Sequence, residues 1–417
     1  MGQGNQDRRH RDWSLLPPDL TALILTTLEV PDLLAAAAAC RPWRAAYKAD
    51  PRLDAAPLFR GPCLVFHSGG DPASQPATLR SLADGGGSRR IHYRVSLPDP
   101  PFPTRYVMGS SHGWLATADE MSDLLLVNPV TRAQVRLPPI STLTNVTCRV
   151  RRGVLRSYRI HRIEGRFQSF KPDEGRLYFY EKVVWSSDPT SGNCIVMIIH
   201  APKSIISFAR VGDTRWSLLH AEGLFCRNYD DFFYNGQDHL LYAIRKNNEV
   251  HTIDLHGPNP MVKVIFKATA SPRNDYKYIV CAPWGDILQV SFYDVYDEDT
   301  DVSTYKFAVY KMDCGAQNII EVKDLRGYAL FVGFNSSFFF LPTEDCSMIK
   351  QNRVYHADDL IDDDYTRKIY APRRMVEVNL EDGSINDVWS SPNSWSSWPP
   401  PLSSESSASL ARGRVQP

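Results

Sequence analysis

Gly109-Ser110-Ser111-His112-Gly113 has the spacing G-x-S-x-G of a nucleophile elbow. A serine in that motif becomes reactive when it stands on a strained turn between a strand and a helix. Here Tyr106–Met108 reads as a strand, but Trp114-Leu-Ala-Thr-Ala118 continues as strand, and no helices alternate with strands as a hydrolase sheet requires. Ser111 is therefore expected in a tight turn entering a strand, with a serine hydrolase using Ser111 as the alternative of a different class. Asp297-Glu-Asp299-Thr-Asp301 opens like a calcium loop, yet Val302 occupies the position that needs glycine and Ala308 the one that needs glutamate. Asp358, Asp359, Asp362, Asp363 and Asp364 form a second acidic run, and Gly85-Gly-Gly-Ser88 a glycine run. All three stretches are expected as hairpin tips. The histidines show no ligand pair at helical spacing, and the eight cysteines include no Cys-x-x-Cys knuckle. No metal or cofactor is expected, and the thiols read as reduced, in the cytoplasm and/or nucleus.

The elements around these residues belong to a large body of short strands. Aromatic residues make up 11% of the chain, with 30 prolines and 24 glycines, a composition suited to strands and turns. Charge is balanced at 47 basic and 47 acidic residues, so no overall field recruits nucleic acid or an anionic membrane. No stretch approaches the roughly 20 apolar residues of a membrane span, and the N-terminus lacks the apolar run of a secretory signal.

After residue 60 the pattern predicts strand clusters. They are Cys63–His67 with Arg90–Val95; Tyr106–Ala118, Leu124–Val127 and Ala133–Leu137; Lys182–Trp185, Cys194–His200, Ser204–Arg210 and Trp216–Leu219. The remainder are Asp231–Tyr234, Leu240–Ile244, Val250–Leu255 and Val262–Phe266; Tyr278–Cys281, Ile287–Tyr293, Tyr305–Met312 and Ile319–Val322; and Ala329–Phe334, Arg353–His356, Met375–Asn379 and Ile385–Trp389. An Asp or Asn recurs near strand ends, as in Leu125-Leu-Val-Asn128, His251-Thr-Ile-Asp254 and Val376-Glu-Val-Asn379. Units of about four short strands fit a β-propeller, with paired β-sandwiches as the alternative. Residues 149–176 interrupt the pattern with Arg149, Arg151, Arg152, Arg156, Arg159, Arg162 and Arg166. They read as a solvated strand or loop excursion, or as a patch for an acidic partner; nucleic acid fits less well because stacking aromatics and a recognisable module are missing.

Ahead of the body lies a helical head. Leu16, Leu20, Leu23, Ile24 and Leu28 recur at helical steps, Pro17 and Pro18 suit a first turn, and Pro31-Asp32 restarts a helix carrying Leu33, Leu34 and the run Ala35–Ala39. Cys40, Trp43, Ala46 and Tyr47 offer a third face. Three such short helices bury little among themselves, so a Leu/Trp surface is left for a partner.

Trp13-Ser14-x-Leu16-Pro17-x-Asp19-Leu20, Pro31-Asp32-Leu33-Leu34 and Cys40-Arg41-x-Trp43-Arg44 resemble the F-box in order and spacing. The resemblance implies docking on a Skp-type adaptor and, through it, on a cullin–RING ubiquitin ligase. Leu16, Pro17, Leu20, Ile24, Leu28, Leu33, Leu34, Cys40 and Trp43 would form or support the adaptor-facing surface. Two departures from the F-box pattern are the alanine run, which thins the contact, and Pro42, which a helix tolerates only at its start.

In the body, Gly109-Ser-Ser-His-Gly113-Trp114, Asn128-Pro129-x-Thr131, Asp213-x-Arg-Trp216, Asn335-Ser-Ser-Phe338, Asn352-Arg-Val-Tyr355 and Trp398-Pro-Pro-Pro401 are similar to marker segments of plant F-box proteins with a KIB-type β-propeller. The implied organisation is a disordered N-terminus over 1–12, an F-box over 13–52, a propeller over 60–392 and a disordered Pro/Ser-rich tail over 393–417. The implied role is non-catalytic: substrate recognition, with the propeller holding an unidentified target protein. The alternative is a ligase-independent binding propeller whose F-box is degenerate.

Overall fold

Proline and aspartate set where the head's helices begin. In the computed structural model a short 3-10 turn, Trp13–Leu15, leads into α1 (Pro18–Thr27), α2 (Val30–Ala39) and α3 (Arg41–Ala49). Pro18 opens α1, and Pro42 falls at the second position of α3, where the missing N–H would have had no intrahelical partner. Cys40 is extended between α2 and α3 (φ −154°, ψ 169°), so the chain breaks before Pro42 and the proline starts a helix without interrupting one. The structure describes residues 12–28, 30–50, 53, 62–67, 76–82, 92–161, 166–257, 259–269, 276–297, 302–333, 336–342, 348–358 and 374–390. The N-terminal segment expected to be disordered (apart from Asp12), the glycine run 85–88, residues 298–301 and 359–364 of the acidic runs, Asn335 and the tail lie outside them.

The body is built from antiparallel sheets of sequence neighbours. Blade one contains β1 (Cys63–His67), β2 (Ala77–Ser81) and β3 (His92–Val95); blade two contains β4 (Tyr106–Ser111), β5 (Trp114–Ala118), β6 (Leu124–Val127) and β7 (Gln134–Arg136). A three-stranded sheet follows, β8 (Val146–Arg151), β9 (Val154–His161) and β10 (Phe167–Phe170), then a short helix α4 (Pro172–Tyr178). Blade three is β11 (Tyr180–Trp185), β12 (Ile195–His200), β13 (Ile205–Arg210) and β14 (Ser217–Leu218). Blade four is β15 (Tyr229–Asn235), β16 (Leu240–Arg245), β17 (Val250–Asp254) and β18 (Met261–Phe266). Blade five is β19 (Tyr276–Cys281), β20 (Ile287–Asp297), β21 (Val302–Asp313) and β22 (Asn318–Glu321). Blade six has five strands in the order β24 (Phe338–Phe340), β23 (Ala329–Val332), β25 (Arg353–Asp358), β26 (Arg374–Asn379) and β27 (Ile385–Ser390), with β23 and β25 parallel.

Side-chain packing closes these sheets into a ring. Separate apolar clusters join blade one to two, two to three, three to four, four to five, five to six, and six back to one through Leu64, Phe331 and Tyr355. The first strands β4, β11, β15 and β19 approach one another around the centre. Among the described residues this ring is a propeller of six blades, so the paired-sandwich alternative falls away. The β8–β10 sheet is an insertion outside the ring, because β11 packs directly beside β4.

The recurring Asp and Asn close turns at strand exits. The Asn128 Oδ1 accepts the N–H groups of Val130 and Thr131 at 2.9 Å each, the Asp254 Oδ1 that of His256 at 2.9 Å, and the Asn379 Oδ1 that of Glu381 at 3.1 Å. Such side chains satisfy backbone donors that the sheet ladder leaves behind. The sheets also contain strands outside the expected clusters. β2 lies between β1 and β3, the two strands expected of that cluster, and the three-residue β24 joins the last blade.

Buried histidines give the ring a pH dependence. His200 bonds Ser207 Oγ and the Ala201 carbonyl at 2.9 Å each, and His356 Nε2 bonds the Tyr278 hydroxyl at 2.8 Å. Burial pushes their imidazoles down from 6.5, to about 4 for His200 and about 3 for His356. A depressed folded-state value gives stability that is present above 6.5 and lost as pH falls. By pH ~5 the loss is about 2 kcal/mol for each imidazole. Asp230 works in the opposite sense: burial lifts its carboxyl to about 7, so its contribution is present at low pH and lost as pH rises through that value. The test is therefore a difference between chains. Relative to wild type, His356→Asn should lose about 2 kcal/mol less on going from neutral pH to pH ~5, measured by urea unfolding; parallel pH slopes would show that His356 is not held neutral.

Candidate functional site

The head has a small core of its own, and its remaining apolar residues point elsewhere. Leu25, Leu33, Ala46 and Leu53 are buried together, with Leu28, Trp43, Ala36 and Tyr47 packed partly against them. On α1 the inward face is Thr21, Leu25 and Leu28, at helical spacing. Leu20 and Leu23 lie on the opposite side, 49% and 63% exposed, while Trp13 and Leu15 of the preceding turn are 59% and 79% exposed.

The entry turn is held in place. The Asp12 carboxylate accepts the Ser14 N–H at 3.0 Å and its hydroxyl at 2.6 Å, which keeps the Asp12 carboxyl below its usual range. The Trp43 indole N–H donates to the Trp13 carbonyl at 3.0 Å, tying the turn to α3. Arg44 reaches the carbonyls of Ala37 and Ala38 at the end of α2, a favourable place for a cation.

The residues marked by the F-box pattern divide into three groups. Pro17 and Leu20 are exposed, and Leu16, Ile24 and Cys40 are half-buried. Leu33 is fully buried, with Leu28 and Trp43 packed against the same core. Leu34 turns the other way and packs with Val30 against blade one. Trp13, Leu15 and Leu23 complete the exposed apolar set. Leu23 was visible in the helical period, but Trp13 and Leu15 precede the helix and have no period to reveal them.

The head sits directly on the body. Besides Val30 and Leu34, Arg132 grips Asp32 through two bonds of 3.2 and 3.1 Å, and Arg94 donates to the Thr27 carbonyl at 3.0 Å. The ion pair is largely exposed and contributes little by itself. The apolar contact places α2, and the carbonyl bond the end of α1, against blade one, leaving the outer side of α1 and the entry turn exposed.

The other constellations do not form sites. Ser111 ends β4, and the turn to β5 is His112-Gly113, with φ of 50° and 74°. The Ser111 hydroxyl bonds Nδ1 of the adjacent His112 at 2.8 Å. A strand–turn–strand hairpin lacks the helix that a nucleophile elbow needs. Val302 and Ala308, at the glycine and glutamate positions of the calcium-loop pattern, both lie in strand β21, so helix–loop–helix geometry is absent there. No group of three or more His, Cys, Asp or Glu side chains among the described residues could hold a metal.

Comparison with known proteins agrees with this layout. The KIB1-4 beta-propeller family matches residues 79–378, and an F-box-like family matches residues 13–54. An Arabidopsis thaliana protein named as an F-box protein is 24% identical over 291 residues, spanning 69% of this chain and 73% of the relative. An F-box/kelch-repeat protein of the same plant is 23% identical over 389 residues, 89% of this chain and 88% of the relative. A solved β-propeller domain, Cps50 (Swd1) of Myceliophteria thermophila, overlaps 79% of this chain and 98% of its own at 8% identity and a TM-score of 0.31, too low to bear on the argument. With a helical head that matches the F-box and a ring of sheets behind it, the chain belongs to the KIB1-4 beta-propeller family, as a plant F-box protein.

Proposed function

We propose that this protein is the substrate-recognition subunit of a Skp–cullin–F-box ubiquitin ligase, with the head docking a Skp-type adaptor and the propeller binding the protein to be ubiquitinated. The observation that carries the reading is the apolar set Trp13, Leu15, Leu20 and Leu23, left exposed on a head that matches the F-box. Leu16, Pro17, Ile24 and Cys40 border or extend that surface, and Leu28, Leu33 and Trp43 brace it. Leu34 serves by holding the head on blade one. The chain makes and breaks no bonds in this reading. It acts by proximity, raising the effective concentration of a target beside a ubiquitin-loaded enzyme. The close head–body contact supports that action, since a fixed head holds the target at a defined distance from the ligase. The absence of disulfides among the described cysteines fits a reducing compartment, cytoplasm and/or nucleus.

The purified full chain should form a one-to-one complex with a purified Skp-type adaptor on size-exclusion chromatography. Affinity purification under proteasome inhibition should recover adaptor with the wild type and lose it on deletion of the head, while targets persist with both. A wild-type chain that elutes apart from excess adaptor would remove the ligase role and leave a binding propeller alone.

A further inference from the structure

The inserted sheet between blades two and three is two-sided. Directly paired strand residues share a face, so Tyr158 and Phe170 point together into the core, as do Val146 and Ile160, and all four are buried. Tyr158 also donates its hydroxyl to the Met121 carbonyl at 2.8 Å, anchoring the inner end of β9 to blade two. The opposite face carries Arg149, Arg159 and Phe167, with the Arg159 guanidinium 4.4 Å from the Phe167 ring centroid.

The outer half of this sheet projects into solvent. In β8 every residue after Val146 is exposed, and the strand returns through Arg152-Gly153, both at positive φ (52° and 76°). A residue with a Cβ at Gly153 would meet no neighbouring atom, so that glycine serves the backbone conformation of the tight turn. β8 is also the outer strand, in the order β10-β9-β8, and no other strand pairs with its far side among the described residues.

Along this arm Arg149, Arg151, Arg152, Arg156, Arg159 and Arg166 make no ion pair with a described carboxylate. Basic residues can simply guard an exposed strand edge. A guard alone does not account for Val150, Val154 and Phe167, which are 57%, 53% and 52% exposed on the same arm. An open edge, unopposed guanidinium groups and uncovered apolar side chains are together the features of a strand-addition site.

We infer that β8 is a docking edge for an extended acidic polypeptide segment, which adds as a further strand, pairs its carboxylates with the arginines and packs beside Val150. This names the kind of partner received by the body and so rests on its proposed role as the target-binding part. Nucleic acid is disfavoured, because Phe167 is already covered on one side by Arg159 and, among the described residues, no Tyr, Trp or second Phe joins it on this face of the sheet.

The test uses the full chain and a labelled peptide of about ten residues that alternates glutamate with threonine. Binding read by fluorescence anisotropy should weaken as salt is raised, and Arg149→Glu/Arg151→Glu should weaken it by about 10-fold or more. The same peptide N-methylated at alternate amides keeps its charge but cannot join a sheet, and should bind at least ~5-fold less tightly. Equal binding of the methylated peptide, indifference to the arginine substitutions, or tighter binding of an oligothymidine of equal charge would each overturn the inference. Adaptor capture is measured on the same samples and should stay at the wild-type level. A chain that captures adaptor but not the acidic peptide fails here alone, and one that binds the peptide but no adaptor fails only as a ligase subunit.

Discussion

Leu20→Ala/Leu23→Ala is expected to lower affinity for a Skp-type adaptor by at least about 10-fold and leave the fold intact. Fully burying an exposed leucine contributes about 1.5–3 kcal/mol. Because each side chain is already partly covered in the free chain, docking adds roughly half of that per leucine, about 1.5–3 kcal/mol for the pair, and tenfold in affinity corresponds to about 1.4 kcal/mol. Alanine keeps the helix, being the best helix former. Both side chains are about half-exposed or more in the free chain, so their truncation opens no cavity in the head. Trp43 is the poorer probe, although its position in the motif draws attention to it. It packs on the head's core and bonds the Trp13 carbonyl, so Trp43→Ala would combine lost docking with a loosened entry turn. Titration by isothermal calorimetry, with melting followed in parallel, separates the two effects. An unchanged affinity in the Leu20/Leu23 variant would move the docking surface off α1 altogether.

The choice between those residues shows what periodicity can and cannot say. The stripe Leu16, Leu20, Leu23, Ile24, Leu28 is apolar at helical spacing, but so is Thr21, Leu25, Leu28 once the threonine methyl is counted. Two overlapping stripes on one short helix do not reveal which is turned inward. The answer depends on Leu33, Ala46 and Leu53, which arrive from other elements. Leu33 and Leu34 make the same point: neighbours in the motif, one faces the head's core and the other blade one. Pro42 allowed either an interrupted helix or a new one, and the extended backbone at Cys40, which no residue type announces, makes it the start of α3.

In the body, the strands of blades three to five were legible because each is a run of four to twelve residues bounded by turns, apart from the short β14, and their Asp and Asn side chains mark the exits. β24, with three residues, is too short to show any period, and the closure of six sheets into a ring is written only in side chains that meet across blades. The basic excursion was visible as composition. Its form, a sheet with one face buried and one strand edge open, depends on pairing partners that charge counts do not contain.

The largest expected loss of stability comes from the centre of that ring. Lys182 on β11 is buried and lies 2.6 Å from the Asp231 carboxylate on β15. Its ammonium also donates to the Gly333 carbonyl at 3.0 Å and sits 5.7 Å from the Tyr278 ring centroid. Asp231 in turn accepts the Ile279 N–H at 2.9 Å. Blades three, four, five and six therefore meet at one ion pair. Lys182→Met keeps the length and removes the charge, leaving the Asp231 carboxylate buried with a backbone donor for company. Breaking a buried pair from one side costs about 3–5 kcal/mol, because the uncompensated charge is the expensive part. Lys182→Met/Asp231→Asn should recover most of that loss, since the amide oxygen still accepts from Ile279 and no charge remains to be solvated. Urea unfolding at neutral pH measures both. A single-variant cost below about 1 kcal/mol would mean that water reaches the pair and screens it like a surface bridge. Recovery in the double variant would show that the penalty is electrostatic; its failure would assign the clasp to the Lys182–Gly333 bond, the contact that both variants lose.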